Sequence, residues 1–106
     1  MVVRNRVINV GKVTLAQRDT TLVFHYRNEG DAPFFIIEMF PTCVCTVPTY
    51  SESPVMPGDS SSFTVRYSFE RIGPVSGAVT ISYASPESEE VYITRIGIKG
   101  EVIESE

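Results

Sequence analysis

The stretch Met56-Pro57-Gly58-Asp59, with Phe63-Thr64-Val65-Arg66-Tyr67-Ser68-Phe69 after it, decides the fold. Pro57 presets φ and Gly58 supplies a left-handed position, so the first four residues make a turn. Beyond it Phe63, Val65, Tyr67 and Phe69 alternate with Thr64, Arg66 and Ser68. Successive side chains of a strand point to opposite faces, so this period of two puts the apolar set on one side and the polar set in water. A strand of that kind needs a second layer over its apolar face.

The same reading extends in both directions. Thr21 to Asn28 alternates, with Leu22, Phe24 and Tyr26 toward the core and Val23, His25 and Arg27 away from it. Gly77 to Ala84 repeats the pattern, with Val79, Ile81 and Tyr83 inward. Val7 to Leu15 reads as the first strand, and Gly11 marks a weak point or bulge in it. Pro33 opens Phe34 to Phe40, which is apolar on both faces apart from Glu38. That predicts a central or doubly covered strand. Pro41, Pro48, Pro54 and Pro57 break the middle third, where Cys43 to Val47 is the only piece long enough to pair; this stretch is expected along a sheet edge. Ser85 to Glu90 is an acidic loop. In Val91 to Val102, Tyr92, Ile96, Ile98 and Val102 share one parity and Val91 and Ile93 the other. A bulge or change of face is therefore expected near Arg95.

Composition agrees. Val, Ile and Thr make 32 of the 106 residues, while Leu and Ala together make six. β-branched side chains lose rotamer freedom in a helix and suit a pleated sheet. At 11.8 kDa the chain is sized for one domain, residues 1–106, because two halves would each lack a sufficient core. About seven short strands separated by turns predict an all-β, Ig-like antiparallel sandwich. The antibody Cys…Trp…Cys pattern is absent, since there is no tryptophan. A net charge of −4 and a pI near 5.0 give no basic footprint for nucleic acid. No apolar run is long enough to span a membrane, and Met1 to Arg6 lacks the apolar stretch of a signal peptide.

Four elements in order carry a resemblance: Phe24-His25-Tyr26-Arg27-Asn28-Glu29-Gly30, Cys43-Val44-Cys45-Thr46-Val47-Pro48, Met56-Pro57-Gly58, and Phe63-Thr64-Val65-Arg66-Tyr67. Together they resemble a bacterial domain family of unknown function, number fifteen-seventy-three, over roughly residues 22–102. The family's Ser-Cys-Gly-Cys stands here as Thr42-Cys43-Val44-Cys45. The resemblance implies an Ig-like sandwich, a place in the periplasm or at the cell surface, and work in binding or scaffolding. It brings no catalytic activity.

Cys43 and Cys45 are the residues with chemistry to argue. On a straight strand their Cα atoms lie roughly 6.5–7 Å apart, so a bridge between them requires a bend or bulge. Three other readings stand: two small packed hydrophobes, a disulfide to another chain, or a soft-metal or redox thiol site. Two thiolates suit Cu(I), whereas tetrahedral zinc needs two further ligands. The other candidate donors are His25, Met39 and Met56, and nothing in the pattern sets His25 beside the sulfurs. His25 also lacks the partners of a nucleophilic triad, so no catalytic residue is assigned and no cofactor is expected. Asp59 with the Glu87–Glu90 loop lacks the dense Asp/Asn ladder of a calcium loop. The expected function is a non-enzymatic module for adhesion, scaffolding or protein binding, with a partner or a second copy paired along an edge strand. The alternative is a copper or redox site on Cys43 and Cys45.

Overall fold

The computed structural model describes residues 1–43 and 45–104, and Val44, Ser105 and Glu106 lie outside the described residues. Phe63 and Val65 belong to β6 (Ser60–Ser68), which pairs antiparallel with β3 (Asp19–Arg27), placing Phe24 opposite Phe63 and Leu22 opposite Val65. The two phenyl rings stack at 5.2 Å with planes 7° apart. Flanking this pair are β1 (Val2–Val3) on β3 and β5 (Thr46–Thr49) on β6, giving a sheet of order β1-β3-β6-β5.

The second sheet has the order β2-β8-β7-β4, from β2 (Val7–Thr14), β4 (Phe35–Pro41), β7 (Gly73–Ala84) and β8 (Val91–Ile103). Its inward residues Val79, Ile81, Ile96 and Ile98 are buried with Phe24, Phe63 and Val65 in one core. The alternation read from the chain is thus the physical basis of the sandwich. Two inner faces exclude water, and each fully buried aliphatic or aromatic side chain contributes about 1.5–3 kcal/mol.

Three features depart from the expectations. β4 is an edge strand, not a central one, because it neighbours β7 alone. Its register shifts between Ile36 and Glu38, and this bulge leaves Ile37 and Glu38 both outward and Ile36 and Met39 buried. β8 does not change face: its register with β7 runs unbroken from Gly73 opposite Val102 to Ala84 opposite Val91. Val91 and Ile93 therefore stay on the outer face, 57% and 70% exposed. Finally, one pairing is parallel, that of β2 with β8. Val2–Val3 pair in the first sheet and Val7–Thr14 in the second, so the opening stretch ties the two layers together. A turn of 3-10 helix, Leu15–Gln17, then leads into β3.

Gly11, at φ 75°, sits in the register shift between Asn9 and Lys12, as its place in the strand suggested. Here β2 comes very close to Gly100: a Cβ at residue 100 would meet the Val10 side chain and, at 2.8 Å, the Gly11 carbonyl oxygen. That oxygen is backbone and cannot swing away. Gly100→Ala is expected to push β2 off β8 and cost about 1–3 kcal/mol, measured by urea unfolding, with faster amide exchange confined to β2 and its neighbour.

Candidate functional site

Asn28 continues the inward parity of Leu22, Phe24 and Tyr26, yet it is polar and only 2% exposed. Its Nδ2 donates to the carbonyls of Ala32 (2.9 Å) and Val55 (2.8 Å), and its Oδ1 accepts from the Gly30 N–H at 2.9 Å. Its backbone is held as firmly. The Asn28 N–H donates to Asp59 O, and the Gly58 N–H donates to Asn28 O. The Asn28-to-Pro33 turn and the Pro57-Gly58 turn are thus one hydrogen-bonded knot closing one end of the sandwich. Two of the motif elements in the chain act structurally.

Edges offer the places for a partner. β1 is two residues long, β5 carries Pro48, and β2 is bulged, three devices that blunt an edge. β5 lies within the proline-interrupted stretch expected along an edge, and it is one. β4 shares two of these devices, a bulge at Ile37 and Pro41 at its end, but it keeps Ile37 and Phe40 exposed. Val55 bridges Phe34 just before it, with bonds in both directions, and among the described residues no strand pairs with its side away from β7. Phe40 and Ile37 stand 51% and 39% exposed on the outer face. Across the small side chains of β7, Phe40 is in register with Thr80 and then Arg95, and Phe35 with Ala84 and then Val91. The outer face of this sheet therefore sets Phe35, Ile37 and Phe40 on one side of the small residues Thr80, Ser82 and Ala84 and Val91 and Ile93 on the other, with Glu38 and Arg95 among them. On the opposite face of the same sheet Tyr92 stacks on Tyr83 and donates its hydroxyl to Glu90 at 2.7 Å. That bond, with the carboxylate's charge, raises the Tyr92 phenol above its usual range.

The cysteines lie just ahead of β5, in a bend and not in the strand expected from Cys43 to Val47. The bend closes their Cα separation to 5.2 Å, inside the range a disulfide spans, and the two sulfurs are bonded to each other. The straight-strand geometry is what fails. Neither residue is a packed hydrophobe: Cys43 is exposed and Cys45 half-buried. Cys43 Sγ accepts the Cys45 N–H at 3.0 Å, and the Cys45 carbonyl accepts the Ser68 N–H at 2.9 Å. Both cysteines line a groove of about 370 Å³ with Tyr67, Phe69, Arg71 and Ile72.

His25 is not brought to the sulfurs. It is paired with Ser62, while Cys45 is bonded to Ser68, roughly 20 Å farther along β6. Met39 is buried in the core and Met56 is exposed. Among the described residues no three His, Cys, Asp or Glu converge as metal ligands. A soft ion needs thiolates, so that reading of Cys43 and Cys45 applies to the reduced pair alone.

The model of a family described as a protein of unknown function, DUF1573, matches residues 1–102. The chain belongs to the DUF1573 family. No curated protein matches it in sequence. Among solved structures this DUF1573 domain is similar to an ASH / PapD-like domain of human CEP192, at TM-score 0.79 and 10% identity over 98% of this chain and 85% of that one. It is also similar to the VesB protease of Vibrio cholerae (TM-score 0.77, 12% identity, 92% of this chain and 31% of that one). A third likeness is the YadV chaperone (TM-score 0.73, 12% identity, 95% and 51%). The domain spans about a third of VesB and about half of YadV. At these identities the likeness is one of fold, and that fold is an Ig-like sandwich of two sheets. The DUF1573 match agrees with the resemblance read from the Asn-x-Gly, Cys-x-Cys and Pro-Gly elements.

Proposed function

We propose that this DUF1573 domain is a non-enzymatic interaction module, serving adhesion or scaffolding, that takes an extended partner segment along β4. The open side of β4 carries the reading. It is a seven-residue edge with Ile37 and Phe40 exposed beside it, where strand addition supplies main-chain bonds and these apolar side chains supply contacts. The partner is a protein segment or the β4 edge of a second copy. The fold supports this reading in general terms, since sandwiches with an open edge are suited to it.

We place the module in the periplasm or at the surface of a bacterial envelope. The family resemblance implies that place, and a disulfide persists most readily in an oxidising compartment. Cell fractionation tests it, and recovery in the reducing cytoplasm would overturn it.

The binding test uses photo-crosslinking side chains at positions 37 and 40 in cells, beside sedimentation of the purified domain over a concentration series. Crosslinks to one protein, or to a second copy, are expected. The double variant Ile37→Lys, Phe40→Lys should stay folded and weaken that association tenfold or more, since charge on an edge opposes pairing. A strict monomer with no crosslinked species, or a double variant that binds as well as the parent, would end this reading.

A further inference from the structure

We propose that the Cys43–Cys45 disulfide is a thiol–disulfide exchange site, accepting two electrons from a dithiol of a protein seated in the adjoining groove. Strand addition at β4 plays no part in it.

Stability does not account for this bridge. It joins residues two apart, and the stabilisation from closing a loop grows with its length, so this one gains least. The bend is anchored without it. The Thr42 N–H donates to Ala78 O, the Ala78 N–H donates to Thr42 Oγ1, and Ser68 holds the Cys45 carbonyl. The core cluster contains neither cysteine. Opening the bond therefore leaves the sandwich and both ends of the bend in place.

The two sulfurs are unequal. Cys43 is exposed, whereas Cys45 is half-buried beside Thr46, itself 1% exposed. Exchange begins at the sulfur a thiolate can reach, so Cys43 Sγ is the point of attack. Polar groups lie where thiolate charge would develop. The Cys45 N–H points at Cys43 Sγ, and the Thr46 hydroxyl oxygen lies 3.8 Å from Cys45 Sγ. Donors of this kind favour the thiolate over the thiol. The groove beside the pair has apolar side chains in Tyr67, Phe69 and Ile72 and charge in Glu70 and Arg71, a surface suited to a cysteine-bearing peptide segment.

The step balances as follows. A partner thiolate attacks Cys43 Sγ, forming a mixed disulfide and breaking the Cys43–Cys45 bond, and Cys45 leaves as a thiolate that takes up a proton. The partner's second thiolate then attacks its own sulfur in the mixed disulfide and releases Cys43, which is protonated in turn. The domain ends as a dithiol and the partner as a disulfide, with two electrons and two protons transferred.

The test holds the folded domain in glutathione buffers of graded ratio, quenches with an alkylating reagent and maps the adducts by mass spectrometry, with circular dichroism recorded in parallel. The bridge is expected to open with the spectrum unchanged, and glutathione adducts should sit on Cys43 at least tenfold over Cys45. Reduced thioredoxin serves as the protein dithiol. Ile72→Asp should slow reduction by thioredoxin tenfold or more and leave reduction by glutathione unaltered. A bridge that opens only on unfolding, adducts shared equally between the sulfurs, or an Ile72→Asp variant with both rates unchanged would overturn the proposal.

Discussion

Phe63→Ala is expected to lower the stability of the domain by about 4 kcal/mol, the largest loss from any single truncation in the first sheet. Phe63 is 1% exposed, lies opposite Phe24 in the β3–β6 register and stacks on its ring. Tyr26 approaches the same ring at 6.0 Å. Removing it loses the transfer energy of a buried aromatic, opens a cavity that rigid strands cannot close, and strips both neighbours of a partner. A domain of this size is stable by about 5–15 kcal/mol, so the variant falls close to the threshold for folding. Its melting temperature should drop by roughly 20 °C. Thermal unfolding followed by circular dichroism measures this; a drop of only a few degrees would mean that the two sheets do not share one core.

Asn28→Ala is expected to cost about 3 kcal/mol, although it deletes fewer atoms. The substitution leaves the carbonyls of Ala32 and Val55 and the Gly30 N–H without their side-chain partner at a buried site. Asn28→Asp should be worse near neutral pH. A carboxylate there still accepts from Gly30, but it presents oxygen to two carbonyl oxygens. The sign of its pH dependence follows. Burial beside acceptors raises the folded-state pKa of an aspartic acid above its unfolded value, so the folded state binds protons more readily. The Asp variant should therefore recover stability as the pH falls through the folded-state pKa, an effect the Ala variant lacks. Parallel urea titrations of both variants at several pH values test this. Equal stability of the two at every pH would show that Asn28 does not hold the knot through its amide group.

The sandwich was legible because Phe63, Val65, Phe24 and Ile81 declare their face by alternation alone, and each is buried where that alternation puts it. β4 was misread for a definite physical reason. Side chains apolar on both faces look the same whether the outer face meets another layer of the same chain or awaits another molecule. The position of β4 beside β7 alone separates those cases, and strand order is a long-range property. The same limit hid the parallel β2–β8 pair. Asn28 did carry a usable signal: a polar residue at the next inward position after Leu22, Phe24 and Tyr26 must find buried partners. For the cysteines the spacing tied any bridge between them to a bend, and the bend before Thr46 is what brings them within bonding reach.

The parallel pair has a consequence for biogenesis. A ribosome delivers β2 before its partner β8, with β4 and β7 of the same sheet made between them. Over that interval β2 has no neighbour in its own layer, and the edge of β7 that β8 will occupy is equally bare. The nascent polypeptide therefore carries unsatisfied pairing surface until β8 emerges, the period in which aggregation or capture by a holdase competes with folding.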